Sequence, residues 1–432
     1  MGPIFRRLPW KILPAIALAF AFAVWAGGTW SDAIAANAAR ASAKPDRTHT
    51  DPAFRSAAEL IDEGRYTFRY ETFGDEAYWG DTLQLHRAIA GEANGGVGPG
   101  LTLEKAFELG LKIDAEALPA ELKTRFAQGR VEAKSSKLML ELLELDAVVG
   151  LTGFFSMDRK LVSVGVQCAM CHSTVDDAVG TSVGTRLDGW ANRDLDVGAF
   201  LAMSPNIGPL ATQLGADDEA ARAWIRAWGP GKVDAALVLD GAKRDLNQRP
   251  VPTLIPPAFG RAGLLSQQRH GSGIFYDPRA KDAVKAAMAA DAGFSKERFA
   301  PDLVTPRLAA LQVYQLVLRA PTPLPSTYNA ASANRGKVLF EGRAKCAGCH
   351  VPPLFTEPDR VFHTASELGL GTADYRVRTA PLGGLFTHLK GGFYSDGRFP
   401  SVESVVSHYN VHFRLNLTAT EQSDLVAYLK SL

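Results

Sequence analysis

Two short stretches, VGVQCAMCHSTVDDAVG at 164–180 and KCAGCHVPPLF at 345–355, contain all four cysteines of this 432-residue chain. Their spacing is the same: Cys168, two residues, Cys171 and then His172; Cys346, two residues, Cys349 and then His350. A disulfide or thioredoxin-like redox pair accounts for C-x-x-C but leaves the histidine after it unexplained. A zinc site needs four ligands gathered in one place, yet the pairs lie about 180 residues apart. The remaining reading is the attachment site of a c-type haem. One short turn then puts two sulfurs at the haem edge and the histidine under the iron. Nine histidines in 432 residues make a chance His after both pairs an event of about 0.04%, so coincidence is set aside. The chain is therefore expected to carry two covalent haem c groups, with Cys168 and Cys171 on one and Cys346 and Cys349 on the other. His172 and His350 are the axial iron ligands, and no further metal is expected.

The first 35 residues carry a second constraint. MGPIFRRLPWK supplies Arg6, Arg7 and Lys11, and no charge follows from Ile12 to Trp30. Small residues come next, with Ala33-Ile34-Ala35 an acceptable cleavage site. Charged start, apolar middle and small-residue end make an export signal over 1–35. The 19-residue apolar run is also long enough to stay as a single N-terminal membrane anchor. Either way the body is expected outside the cytoplasm, in the periplasm. Cleavage removes three cations and one anion, taking the formal charge from +1 to about −1. No Lys/Arg run suggests a nucleic-acid surface.

A chain of this length accommodates two to three domains. Residues 50–150 hold no haem motif and read as an α-rich, minor-β N-terminal extension. RYTFRYETF (65–73) alternates like a short strand, while LEKAFELGLKI and SKLMLELLELDAVV have apolar residues at helical spacing. The first haem domain spans 151–325 and is strand-like up to its cysteines. APTPLPSTYNAASA (320–333) reads as a linker. From 334 to 432 comes a C-terminal cytochrome c domain, in which Thr418 and Glu421 form a capping box and Leu425, Leu429 and Leu432 a buried stripe. A weak repeat links the halves: RPVPTLIPPAFG (249–260) with RVRTAPLGGLF (376–386), and GIFYDPR (273–279) with GFYSDGR (392–398). The fold class expected is mainly α, with two cytochrome c-like haem domains, long loops and the extension.

The two motifs, the export signal and the ending RTAPLGGLFTHLKGGFYSDGRFPSVESVVSHYN resemble the bacterial di-haem cytochrome c peroxidase family. That family includes MauG-like oxidoreductases and, more distantly, di-haem rubber oxygenases. The resemblance covers about 150–432 and is most specific after 335. It implies that the N-terminal haem is the site of chemistry and that the C-terminal haem passes electrons, usually with Met as its second ligand. This chain has no methionine after Met288. The position matching that ligand is Tyr409, on one helical face with Val402, Val405 and Val406, as in MauG-like proteins. His408, about 100° round the helix, and His412 are the alternatives, as is no protein ligand. An oxygen or nitrogen ligand in place of thioether lowers the potential.

At the first haem the family often places a second His where Asp188 stands here. The next histidine is His270, a candidate distal group: it either closes the sixth position or serves as acid–base group beside an open iron. Gly336 with Phe340 resembles the family's close helix crossing. Trp190 is the candidate aromatic between the haems, and a structural tryptophan is the alternative. No counterpart of the family's catalytic Glu is found; Asp277 is a weak substitute. Arg186 is a candidate propionate contact. The functional expectation is an exported di-haem oxidoreductase whose C-terminal haem exchanges electrons with an N-terminal haem that meets hydrogen peroxide or another small oxidant. A redox partner protein, a small cytochrome or cupredoxin, is expected to deliver the electrons. A non-catalytic electron-transfer cytochrome and a di-haem oxygenase acting on an organic substrate are the alternatives.

Overall fold

The computed structural model describes residues 52–238, 252–260, 303, 305–357, 363–371 and 376–432. The chain divides into two units, 1–58 and 59–432, and the features below belong to the second. The signal or anchor over 1–35, His270, Asp277 and the GIFYDPR half of the repeat lie outside the described residues. The fold is mainly helical, with few and short strands. Among the described residues no helix is long and apolar enough to cross a membrane.

The aromatic stretch at 65–73 is not a strand. It is the end of the Pro52–Tyr70 helix and the turn after it. Ile61, Gly64 and Phe68 face inward while Tyr66 is 60% exposed, so burial follows a helical period. The apparent alternation came from Tyr66, Phe68 and Tyr70 at every second position; in the helix the Tyr66 and Tyr70 rings, four apart, lie on one face with centroids 5.6 Å apart and tilted by 45°. Gly64 lets this helix meet the Leu308–Val317 helix closely: a Cβ there would lie 2.1 Å from the Ala310 carbonyl oxygen.

Residues 151–166 form an antiparallel hairpin, Leu151–Phe155 with Leu161–Val166, whose second strand runs directly into the turn Cys168–His172. On its far side Ser173–Val175 pairs antiparallel with Arg186–Asp188. Val183–Gly184 then pairs in parallel with Ile113–Asp114. The first motif is thus clamped between two strand pairs.

One apolar core runs from Trp79 to Ile255 and takes in Leu103 and Ala106 from the Leu103–Glu108 helix, Met139 and Leu142 from the Ser136–Glu144 helix, and Val164, Phe200 and Ile225. The N-terminal extension and the segment that carries the first C-x-x-C-H motif therefore bury their side chains together. A second cluster unites Phe68, Phe73, Ala169, Val175 and Tyr314 beside the half-buried Cys168.

The C-terminal part has its own core of Phe340, Val402, Val406, Leu417, Leu425, Val426, Tyr428 and Leu429. It is built from three helices, Ala330–Glu341, Val402–His412 and Ala419–Lys430. The first begins at the end of the Pro/Ser-rich stretch, where Asn329 caps it by accepting from the Ser332 N–H. Thr418 and Glu421 cap the last helix reciprocally. At the crossing of first and last, a Cβ on Gly336 would lie 2.0 Å from the Asp424 carbonyl oxygen. The Asp424 carboxylate accepts there from Ser332 at 2.5 Å and from two nitrogens of Arg335 at 2.8 and 2.6 Å.

Candidate haem-binding centres

At the first motif, one helical turn brings Cys168, Cys171 and His172 onto the end of the hairpin. Two main-chain bonds brace it from the 189–192 loop: Gly189 N–H donates to the His172 carbonyl at 2.8 Å, and Asn192 N–H to that of Cys171 at 2.9 Å. His172 Nδ1 donates to the Pro256 carbonyl at 2.9 Å. The carbonyl can only accept, so Nδ1 carries a proton. That is the backbone contact of an iron-ligating histidine. Both cysteines are free thiols, and burial pushes each up to about 12. A redox C-x-x-C pair needs a thiolate, favoured by a lowered pKa. This environment does the opposite.

The second motif repeats the arrangement. A 3₁₀ turn spans Cys346–Gly348, and His350 N–H donates to the Cys346 carbonyl at 2.9 Å. His350 Nδ1 donates to the Phe355 carbonyl at 3.0 Å, and the Ala380 main chain is a further acceptor. Burial holds this imidazole below its ordinary pKa, hence neutral. Cys346 and Cys349 are free thiols as well. Burial raises Cys346 to about 11; burial, then the neighbouring Glu357, raises Cys349. Glu357 in turn is tied to His363 Nε2 at 2.6 Å and to the Thr379 hydroxyl. Cys349, Glu357 and His363 are the one gathering of three potential metal ligands among the described residues, so the four cysteines do not converge on a zinc.

Tyr409 lies on the side of its helix that faces the second motif. Burial raises its phenol, and the Cys349 and Cys346 sulfurs are close enough to add to that; a hydrogen bond shared with the Tyr394 hydroxyl acts the other way. Its neighbours are turned elsewhere. His408 Nε2 donates to the Leu368 carbonyl at 2.8 Å and His412 Nε2 to that of Glu367 at 2.9 Å. His388 is stacked on Phe393 and bonded to the Gly392 carbonyl. Asp188 is engaged with Arg69, Ser173 and Tyr314.

Trp190 stands between the two halves. Its indole meets Phe259 edge-on at 6.5 Å and Phe386 edge-on at 6.4 Å. Phe259 follows Pro256, which holds His172; Phe386 follows Ala380, which holds His350. The two repeat segments thus each brace one histidine and each set a phenylalanine edge-on against the same indole. The sequence marked both segments by their repeat, but the contact with Trp190 was not legible in it.

Two buried guanidiniums bear on whether a haem fits the first centre. Arg186, opposite Val175 in the strand pair, gives Nε to Asp114 at 2.9 Å, with side chains 1% and 2% exposed. Its Nη1 and Nη2 are buried without a hydrogen-bond partner among the described residues, and the guanidinium lies over the Tyr70 ring at 5.2 Å. Arg193, next to Asn192, leaves Nε and Nη1 in the same state, and burial lowers its pKa to about 10. Buried unpaired donors are costly, and a carboxylate is the partner a guanidinium fork suits best. Haem propionates are such carboxylates, so the residues present fit the group. Arg193, Tyr394 and Glu357 carried no sequence signal of their own, because what surrounds each is decided by how the chain folds back and not by spacing.

No protein-family model matches the chain. It is 32% identical over 126 residues to the methylamine utilization protein MauG of Methylorubrum extorquens, a stretch covering 24% of this chain and 35% of that protein. The chain thus spans about a third of the length of the curated relative it matches. The hydrazine synthase of Kuenenia stuttgartiensis, solved under 20 bar of xenon, superposes with a TM-score of 0.28 at 19% identity, over 42% of this chain and 72% of that one. That likeness is too slight to fix the fold.

Proposed function

We propose that this protein is an exported di-haem c-type oxidoreductase of the cytochrome c peroxidase and MauG kind. The observation that carries the reading is the shared setting of His172 and His350, each with its Nδ1 proton on a main-chain carbonyl beside two half-buried thiols. The partial identity with MauG supports it. Cys168 and Cys171 hold one haem and Cys346 and Cys349 the other, through thioether bonds. His172 and His350 would hold the irons through their imidazoles, and Arg186 and Arg193 would receive propionates. Tyr409 would offer its phenol oxygen to the second centre, with Tyr394 fixing the direction of that oxygen. When bound, haem supplies an iron that exchanges electrons and, where an axial position is open, meets peroxide or another small oxidant. Trp190 is the aromatic link between the centres, and a small cytochrome or cupredoxin is the electron donor.

The test is the low-temperature EPR spectrum of the oxidised, purified protein, after two haems per chain have been counted. A high-spin ferric component from about one of the two haems is expected. Two low-spin signals with no high-spin component, before and after one-electron reduction, overturn the peroxide-reacting centre in favour of electron transfer alone.

A further inference from the structure

Tyr314 lies outside both motifs, on the Leu308–Val317 helix, and is 6% exposed. Its ring shares an apolar cluster with Phe68, Ala169 and Cys168. A phenylalanine would fill the same space. What the phenol adds is a hydroxyl that donates to Asp188 Oδ2 at 2.5 Å. The same oxygen accepts from Arg69 Nε at 2.6 Å, and Oδ1 accepts from the Ser173 hydroxyl at 2.8 Å. The Asp188 side chain is itself 4% exposed. Ser173 follows His172 and is the register partner of Asp188 across the strand pair. One carboxylate therefore joins a buried phenol to the strand that continues from the axial histidine.

Burial, and then the charge of Asp188, hold the phenol proton more tightly than in an ordinary tyrosine. Simple acid–base exchange at neutral pH is therefore closed to it. Removing an electron changes this, because an oxidised phenol is a strong acid, and the proton then has a hydrogen bond to an anion already in place. We infer that Tyr314 is a redox-active tyrosine of the first centre, giving up one electron while its phenolic proton passes to Asp188. In that step the Tyr314 O–H bond breaks and an Oδ2–H bond forms on Asp188. The electron goes to the first haem after peroxide has oxidised it. Peroxide loses its O–O bond and leaves as two waters, having taken one electron from Tyr314, one from the redox partner and two protons from solvent. With the proton kept on Asp188, a neutral radical remains in the apolar cluster, and the positive charge left behind is that of Arg69, whose side chain is 18% exposed. A later electron from the partner restores the phenol, and the proton returns along the same bond.

The inference rests on the peroxide-reacting first centre proposed above, and the experiment separates the two. The protein carrying both haems, unlabelled and grown with ring-deuterated tyrosine, is mixed with hydrogen peroxide, followed optically and freeze-quenched for EPR. Expected is an organic radical whose signal narrows on tyrosine deuteration and is lost in Tyr314→Phe, while the optical change of the haem on peroxide remains. Asp188→Asn, which keeps an acceptor oxygen but is a far poorer proton acceptor, loses the radical too. A haem count of two per chain checks that both variants fold. A responding haem with no tyrosine radical, or with one that persists in Tyr314→Phe, overturns the inference and leaves the proposed function standing. A haem spectrum that peroxide does not change overturns the proposed function and, with it, the oxidant this step requires.

Discussion

Tyr409 and its two histidine neighbours occupy adjacent turns of one helix, yet their polar atoms are spent differently. His408 and His412 give Nε2 to the carbonyls of Leu368 and Glu367. Tyr409 meets only another hydroxyl, that of Tyr394, on the side of the cysteine sulfurs. His408→Ala and His412→Ala are therefore expected to leave the optical and EPR spectra of the second haem unchanged. Tyr409→Phe is expected to abolish its low-spin signal. Tyr394→Phe keeps ligation but removes a hydrogen bond to the phenol oxygen, and is expected to lower the second haem's potential by making that oxygen a stronger donor. Potentiometry on the purified protein decides this. A spectral change in either histidine variant, with none in Tyr409→Phe, moves the ligand to that histidine.

At the scale of elements, the C-terminal helices show how tightly the second centre is framed. A Cβ at Gly336 would intrude on the Asp424 carbonyl, which belongs to backbone and cannot swing aside. Gly336→Ala should cost at least the roughly 1–3 kcal/mol typical of overpacking, read as a fall in the urea midpoint at constant slope. Thr418→Ala removes one half of the capping box and should cost about 1 kcal/mol. Local patterns of this kind were legible beforehand. The C-x-x-C-H turns, the capping box and the strand-like run before Cys168 all depend on residues close in sequence. The helix at 65–70 was misread because its aromatics mimic alternation, and only packing of Gly64 and Phe68 on the Leu308–Val317 helix distinguishes the two periods. Arg193, Tyr394 and the surroundings of Trp190 were illegible for a related reason. Their partners lie tens to hundreds of residues away.

At the scale of the whole molecule, three segments meet at Asp194. Lys112 of the extension donates to it at 2.8 Å, and Lys390 of the C-terminal part pairs with its other oxygen. Close by, burial first and then Arg193 push His388 down to about 4. The ordinary value of the unfolded chain is about 6.5. Between those values the unfolded state takes up a proton that the folded state refuses. Stability is thus full above about 6.5 and falls as pH drops toward 4, with a slope of at most about 1.4 kcal/mol per unit from this group. Urea midpoints at pH 7 and pH 5 should show the loss, and His388→Gln should reduce it. An equal loss in the variant assigns the effect to other groups.

The two repeat segments have a mechanical consequence. The Pro256 carbonyl accepts from His172 and, three residues on, Phe259 meets the Trp190 indole edge-on; in the other half the Ala380 main chain accepts from His350 and Phe386 meets the same indole edge-on. Each strap is thus a lever with an imidazole at one end and the shared indole at the other. A displacement at either histidine is expected to be felt at the indole that both straps touch.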